Sequence, residues 1–270
     1  STEDFIDVGS VVYGGIKITG GDVTLKGLTI KNKGILASGV TRLELSNNKT
    51  LGIGNAQEDA PAGSIIGLDV ASANGSITVD KNVFSSIGVI DGTGTAIRIV
   101  KAQDSITITS NIIRGVTKNG INIYSNCLTQ ESAVLTITDN VIENWDSDQD
   151  QADLPDEGIG GRAIRIDFVG AVSSEKASIQ ENKFVPPICD GTQTPVDPQY
   201  VKLTSIGIKV DLRCNYWGSD KPNFNVILMV DGGKSSECTY LLFYKDPEMK
   251  TLIEPEAIEF NEPTVLLEVY

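Results

Sequence analysis

The chain of 270 residues contains no histidine. Imidazole is the commonest general base near neutral pH and the usual partner of serine and cysteine nucleophiles. Catalysis of these kinds, and metal binding through histidine, are therefore excluded. Long apolar runs are also missing, and none reaches the roughly 18 residues that a membrane-spanning helix needs. We expect no membrane span.

Positive charge is scarce, because the chain has 22 Lys and Arg residues but 36 Asp and Glu residues, for a formal net charge of −14. An acidic surface repels the phosphate backbone, so we expect no nucleic-acid partner. Cysteine is scarce too, and no CxxC pair is present, which argues against a zinc site. Several disulfide pairings are open to the cysteines, with buried free thiols as the alternative; they are Cys127, Cys189, Cys214 and Cys238.

A short pattern that ends in asparagine recurs along the chain. Residues 106–109 alternate apolar and polar side chains, as in a strand with one buried face, and Asn111 follows. Residues 120–124 form a second alternating strand, opened by glycine. Leu28 takes the asparagine position in the first copy. The asparagines that share this position are Asn48, Asn82, Asn111, Asn140, Asn182 and Asn215.

These units cannot bury their apolar faces alone, so successive copies must stack on one another. The spacing varies from 20 residues, between Leu28 and Asn48, to 42 residues, between Asn140 and Asn182. Constant strands joined by loops of variable length are typical of a parallel β-helix. We predict an all-β, single-stranded solenoid of about seven to nine coils with terminal capping strands.

We predict one domain, residues 1–270. Residues 1–22 are expected to form an N-terminal edge or cap, residues 23–219 the regular coils, and residues 220–270 the closing coils and a C-terminal cap. The chain begins at Ser1 without a basic or apolar leader, and we expect that a signal or anchor has been removed. The oligomeric state is left open.

The units quoted above resemble the right-handed parallel β-helix repeat of the pectin-lyase-like superfamily, over about three quarters of the chain. In that family such asparagines point inward at a turn and stack into a hydrogen-bonded ladder. Residues 214–219, CNYWGS, look like the NWWG-type segment that closes many secreted or surface-attached bacterial β-helix proteins. Residues 244–249 are similar to the coil that typically follows it. The resemblance implies a right-handed helix and an extracellular or cell-surface location in a bacterium.

Enzymes of this superfamily act on polysaccharides, but their motifs are missing. The polygalacturonase-like hydrolases need a Gly-His-Gly that this chain cannot supply, and the Arg-x-Pro-x-x-Arg of the pectate-lyase-like enzymes does not occur. We therefore expect a non-catalytic module, adhesin-like or carbohydrate-binding. The alternatives are a polysaccharide lyase or glycoside hydrolase with an unrecognised site, and a structural spacer in a larger surface protein.

A candidate binding face follows from the strand alternation. If the apolar side chains point inward, the residues between them form outward columns. Guanidinium groups beside polar side chains suit the carboxylate of an acidic sugar, so a polysaccharide or host glycan is the expected partner. The alternative is a solvated strand face with cross-strand charge pairs. The candidate ligand-binding residues are Asp69, Arg98, Asn122, Tyr124, Arg165 and Asp167.

An acidic insertion offers a candidate calcium loop. Its carboxylates have the spacing of positions 1, 3, 5 and 12 of an EF-hand loop, although Gln151 replaces the glycine of the sharp turn. The alternative is a solvated acidic loop without a cofactor. Trp145 precedes this loop, as either a platform for a sugar ring or a side chain packed over the coil. The candidate calcium ligands are Asp146, Asp148, Asp150 and Glu157.

Overall fold

The computed structural model describes residues 10–55, 64–89, 93–145, 161–167, 177–186, 200–204, 210–219, 221–222, 228–231, 238–239 and 242–253. In these ranges all regular structure is β-strand, which confirms the predicted all-β class. This part of the chain also contains no helix of the length and apolarity that a membrane crossing requires.

The strands are, in chain order, β1 (Val11–Tyr13), β2 (Ile16–Lys26), β3 (Thr29–Asn32), β4 (Ile35–Ser46), β5 (Lys49–Ile53), β6 (Ser64–Val70), β7 (Ile77–Asp80), β8 (Val83–Ile87), β9 (Thr93–Ala102), β10 (Ile106–Thr109), β11 (Ile112–Val116), β12 (Asn119–Cys127), β13 (Leu135–Thr138), β14 (Val141–Trp145), β15 (Ile164–Asp167), β16 (Ala177–Gln180), β17 (Lys183–Val185), β18 (Val201–Thr204), β19 (Val210–Asp211), β20 (Asn215–Tyr216), β21 (Leu228–Asp231), β22 (Cys238–Thr239), β23 (Phe243–Tyr244) and β24 (Leu252–Ile253).

The strands line three faces that the chain visits in a fixed order. Face 1 holds the first halves of β2 and β4, then β6, β9, β12, β15, β18 and β21. Face 2 holds the second halves of β2 and β4, then β7, β10, β13, β16, β19 and β22. Face 3 runs β1, β3, β5, β8, β11, β14, β17, β20 and β23. Each strand of these three faces pairs in parallel with its counterpart one turn of chain away, so the fold is a β-solenoid.

The core is a stack of aliphatic side chains from the inward positions of the three faces. On face 2, Ile77, Ile106 and Leu135 lie in register and have no exposed surface. Branched side chains suit this position, because they pack well on a pleated surface and restrict the strand conformation. The core is thus one continuous cluster, as expected when stacked repeats bury a common interior.

The turn from face 2 to face 3 repeats one backbone conformation. The residue before each ladder asparagine has a positive φ, for example +55° at Ser110 and +58° at Asp139. Gly27 takes the same conformation, with φ +70°, before Leu28. This left-handed residue turns the chain in a single step, so the next side chain points into the interior.

The asparagines form the predicted ladder. Asn111 Oδ1 accepts hydrogen bonds from the main-chain N–H of Asn82, at 2.9 Å, and from Asn82 Nδ2, at 3.1 Å. Asn140 Oδ1 accepts the same two bonds from Asn111, at 2.9 and 3.0 Å. The pattern begins where the Leu28 N–H donates to Asn48 and continues to Asn215. Every position that the sequence assigned to this ladder is confirmed.

Face 3 has a second column of left-handed residues, which the sequence analysis missed. Gly52, Ser86, Gly115 and Asn144 have positive φ and are skipped in the strand pairing. Each lies opposite its counterpart on the next strand, so the register is kept, and the residue after it is buried in the core. Glycine, serine and asparagine share this role, so no single residue type marks the column.

Four buried aromatic rings pack together near the C-terminal coils. Phe184 and Trp217 stack with ring centroids 4.9 Å apart, and Trp145 meets Tyr200 edge-on, also at 4.9 Å. Burial, assisted by the neighbouring charge of Tyr216, raises the pKa of Tyr200 to about 12. Because Trp145 is 1% exposed, its packing role is confirmed and the sugar-platform alternative is wrong.

The described cysteines are free thiols. Cys127 is buried, and burial raises its pKa to about 12 even though backbone hydrogen bonds act in the opposite direction. Cys214 is half-buried at a ladder turn; burial and, next, the charge of Glu181 raise its pKa. Cys189 and the side chain of Cys238 lie outside the described residues.

The parallel pairing extends to the N-terminal side of the first sequence repeat. Residues 16–26 of β2 pair with β4, and Val11 of β1 pairs with Thr29 of β3. At the other end, β24 pairs with β23 in antiparallel fashion, and it is the one antiparallel pairing within the described ranges. This hairpin ends the parallel stacking on face 3.

Candidate functional site

The predicted outward column on face 1 exists. Asp69 pairs with Arg98, Arg98 with Asn122, and Asn122 with Arg165 on four adjacent strands. Neighbours in such a column lie about 4.8 Å apart, which is within reach of long polar side chains. Lys202 of β18 continues the column beyond Arg165.

Asp69 and Arg98 form a closed ion pair. Arg98 Nε donates to Asp69 Oδ1 at 3.0 Å, and Arg98 Nη2 donates to Asp69 Oδ2 at 2.6 Å. The side chains are only 5% and 10% exposed, respectively. This two-bond geometry matches the guanidinium fork to the carboxylate. The cross-strand charge pair of the alternative interpretation is present, but it is buried rather than solvated.

Arg165 is the more accessible guanidinium of the column. Its Nη2 lies 3.2 Å from Asp167 Oδ2, within the same strand, because residues two apart in a strand point the same way. The Arg165 side chain is 39% exposed and that of Asp167 is 17% exposed. A ligand on face 1 would therefore meet Arg165 rather than the guanidinium of Arg98.

Asn122 lies between the two arginines and is 5% exposed. Its Oδ1 is buried and accepts no hydrogen bond in the structure as described. Tyr124, two residues on, is half-buried beside an irregularity where the register with β9 shifts between Ile123 and Asn126. Asn122, at the centre of the column, is thus buried, whereas Tyr124 beside it is partly exposed to solvent.

This arrangement suits recognition better than acid–base chemistry. A glycosidase needs two carboxyl groups on either side of the scissile bond, one protonated and one ionised. Asp69 and Asp167 are each held by an arginine of the same column. Among the described residues no group of three Cys, Asp or Glu side chains could hold a metal ion. The candidate calcium ligands Asp146, Asp148, Asp150 and Glu157 lie outside the described ranges.

The structure also holds a cavity that the sequence analysis missed, which we call the corner cavity. It lies where face 2 turns into face 3, has a volume of about 380 Å³ and is open to solvent. Its lining combines carboxylates, an ammonium group, an aromatic ring and apolar groups, from Asp139, Asn140, Val141, Glu181, Lys183, Tyr244 and Met249.

The floor of the corner cavity comes from the repeat. Asp139 and Glu181 are left-handed turn residues with φ of +58° and +57°, each one position before a ladder asparagine. The left-handed turn keeps these side chains outside while the asparagine points inward. Lys183 lies in register with Val141 on the next strand of face 3.

The wall of the corner cavity comes from the turn between β23 and β24. Asp246 organises this turn, since its carboxylate accepts the N–H of Lys250 at 3.0 Å and of Thr251 at 2.9 Å. Met249, within the turn, also lines the cavity. Burial is the main cause of the raised pKa of Tyr244, and the negative charges of Cys214, Glu181 and Asp246 raise it further.

No protein family, characterised protein or solved structure that was compared with this chain matches it. The register of the strands and the geometry of the two sites are therefore the observations on which a function can be proposed.

Proposed function

We propose that this chain is a non-catalytic glycan-binding module, adhesin-like in type, whose ligand lies along face 1. The observation that carries the proposal is the in-register polar column, which places an accessible guanidinium at Arg165 beside Asn122 and Arg98. A parallel face with polar residues in register on successive strands suits an extended polymer with repeating groups of its own.

The ion pairs indicate which arginine of the column a ligand would contact. Because Asp69 holds Arg98 through two bonds, Arg165 is the guanidinium that a sugar carboxylate could approach. Arg165 would exchange its two contacts to Asp167, which are long at 3.2 and 3.4 Å, for bonds to the ligand. A single contact of this kind is weak, and affinity for a polymer would come from several contacts along the face.

We infer that the solenoid is a right-handed parallel β-helix of the pectin-lyase-like type, with about seven to nine coils. Connections between parallel strands of one sheet are right-handed in nearly all known cases. The closing segment at residues 214–219 supports a bacterial, secreted or cell-surface setting by its resemblance to such proteins.

A polysaccharide lyase is the second candidate. Arg165 and Asp167 lie side by side on β15, and a lyase needs a base and a group that neutralises the sugar carboxylate. A purely structural spacer is the third. Both are alternatives to the binding module, because the same fold is found in catalytic and in non-catalytic proteins.

The test is binding and turnover on a panel of acidic and neutral polysaccharides, with and without calcium. Calorimetry would report binding, and absorbance of the unsaturated uronide would report lysis. We expect binding without turnover, weakened about tenfold by Arg165→Ala, since a hydrogen bond to a charged group contributes roughly that much. Arg114→Ala is the matched control, because Arg114 is an exposed arginine on face 3.

Uronide product that disappears in Arg165→Ala would overturn the binding-module proposal in favour of a lyase. Equal binding by wild type, Arg165→Ala and Arg114→Ala would remove face 1 as the ligand surface. If no polysaccharide of the panel is bound or cleaved, the structural spacer would be the remaining candidate.

A further inference from the structure

We propose that the corner cavity is a second binding site, which takes a single neutral sugar unit. The site shares no residue with the column on face 1. The inference rests on the proposed function to the extent that its ligand is also a glycan, but its geometry is independent.

The first argument is the state of the charges. Some acidic and basic side chains of the described surface pair closely, as in Arg42 with Glu44 at 2.7 Å and Arg213 with Asp211 at 2.6 Å. Within the described part of the chain, Asp139, Glu181 and Lys183 form no ion pair and no side-chain hydrogen bond, although all three line one cavity. The cavity therefore offers acceptors and a donor that the described residues do not use.

The second argument is the position of the two carboxylates. Asp139 and Glu181 occupy equivalent turn positions on neighbouring coils, because the asparagines after them are joined by the ladder bond of 3.0 Å. Equivalent positions on adjacent coils lie about 4.8 Å apart. A ligand that donates hydrogen bonds can therefore meet both carboxylates, which are strong acceptors.

The third argument is the apolar wall. Tyr244, Met249 and Val141 line the cavity together with the carboxylates and contribute its apolar surface. From Val141 the face 3 column continues through Lys183 and Tyr216 to Tyr244. Three strand steps separate Val141 from Tyr244 by about 14 Å along this column. An aromatic ring presents an apolar surface on which the C–H face of a sugar can pack.

These features select a neutral sugar among the alternatives. An anionic ligand would meet two carboxylates, and a simple cation would meet the ammonium of Lys183 and gain little from Met249. A hydroxyl group both donates and accepts hydrogen bonds, so a ring with several hydroxyls can satisfy Glu181, Asp139 and Lys183 together.

The experiment uses the complete chain and three probes, namely maltohexaose, cellohexaose and xylohexaose. Binding is measured by isothermal titration calorimetry, and contact by saturation-transfer NMR. We expect at least one probe to bind the wild type, and Tyr244→Ala to weaken it about tenfold or more. Because Tyr244 lies on the closing strand β23, Glu181→Gln serves as a second variant that keeps the side-chain shape.

Matched controls lie on the same face outside the cavity. Tyr13→Ala removes a tyrosine that is 67% exposed at the opposite end of face 3, and Glu143→Gln neutralises a half-buried glutamate of β14. Neither is expected to change the affinity for the probes. An equal loss in the controls would overturn the proposal, since it would indicate non-specific attraction to face 3.

The outcomes separate this site from face 1. Probe binding lost in Tyr244→Ala and Glu181→Gln but retained in Arg165→Ala supports the corner cavity, whatever the fate of face 1. Probe binding lost only in Arg165→Ala overturns the corner cavity and supports face 1. Absence of binding by the wild type to all three probes also overturns it. Displacement of a bound probe by an equal concentration of free lysine would overturn the sugar assignment, because the cavity would then recognise charge.

Discussion

The asparagine ladder and the polar column on face 1 are two ways of stacking polar side chains in a solenoid. In the ladder every rung is the same amide, and each asparagine both donates to and accepts from its neighbours. In the column the rungs differ, from Asp69 to Arg98 and then Asn122. The ladder is satisfied throughout its length, whereas the column contains a tight pair and then a buried oxygen, Asn122 Oδ1, that accepts no described hydrogen bond.

The difference shows what repetition achieves. An amide is complementary to a copy of itself, so one residue type repeated at one position solves the hydrogen bonding of every coil. Charged groups are not self-complementary, and each needs a partner of opposite sign. A repeated polar residue is therefore structural, and a varied polar column is where a function can be accommodated.

The largest expected effect comes from breaking the ladder in its middle. Asn111→Leu removes the bonds to the buried N–H of Asn82 and the C=O of Val79, at 2.9 and 2.8 Å. We expect a loss of about 4 kcal/mol in the free energy of unfolding, because buried amide groups lose their partners. Urea denaturation followed by circular dichroism measures it. Asn126→Ala, at an exposed asparagine of β12, is the control, and an equal loss there would refute the special role of the ladder.

The next effect comes from breaking the buried ion pair. Arg98→Met leaves the Asp69 carboxylate buried without its partner, and we expect a loss of about 3 kcal/mol. Replacing both residues, as Asp69→Leu with Arg98→Met, should recover most of this loss, since buried apolar groups replace such pairs well. The same denaturation measurement applies. A double variant no more stable than Arg98→Met would show that the pair is not the cause.

A smaller effect is expected at the exposed pair on face 2. Burial alone would raise the pKa of Asp211, but the hydrogen bonds and charge of Arg213 outweigh it and hold that pKa below its usual value. This stabilisation is therefore present above the usual carboxyl pKa of about 3.9 and is lost as the pH falls through the lowered value. Arg213→Ala should cost less than about 1 kcal/mol at pH 7, because the Arg213 side chain is exposed and that of Asp211 is partly exposed. An NMR titration of Asp211 should show its pKa rise in that variant; an unchanged pKa would contradict the assignment.

The smallest effect concerns the end of the ladder. Leu28→Asn adds a rung of the repeated type, but the Leu28 N–H already donates to Asn48 at 3.0 Å and the site is half-exposed. We expect the unfolding free energy to change by less than about 0.5 kcal/mol. A gain of more than about 1 kcal/mol in the unfolding free energy would show that self-complementarity stabilises even a rung at the end of the ladder.

The sequence predicts the ladder residue by residue for a physical reason. An asparagine at a fixed distance after two inward aliphatic side chains is a local pattern, and the stacking of identical turns follows from it. The register of Asp69, Arg98, Asn122 and Arg165 could be predicted in the same way, from the inward residues on either side.

The burial of that column could not be predicted, because it depends on side-chain packing over a face whose connecting loops do not repeat. The corner cavity was missed for a related reason. Asp139 and Glu181 appear in sequence as ordinary turn residues, and Met249 reaches them from a turn outside the repeat. The left-handed residues Ser86 and Gly115 share a backbone conformation but no residue type, so no sequence pattern marked them.

Because the ladder is uniform, the length of this molecule is set by its number of coils. Asn111 and Asn140 are 29 residues apart and hold equivalent places, as do Ile112 and Val141 on the next face. Excision of residues 112–140 would therefore join two chain ends that already have matching conformations. The product would be shorter by one step of about 4.8 Å, with every remaining strand facing a strand of the same kind. Such a protein can be lengthened or shortened by whole coils, and the polar column on face 1 can be changed one residue at a time.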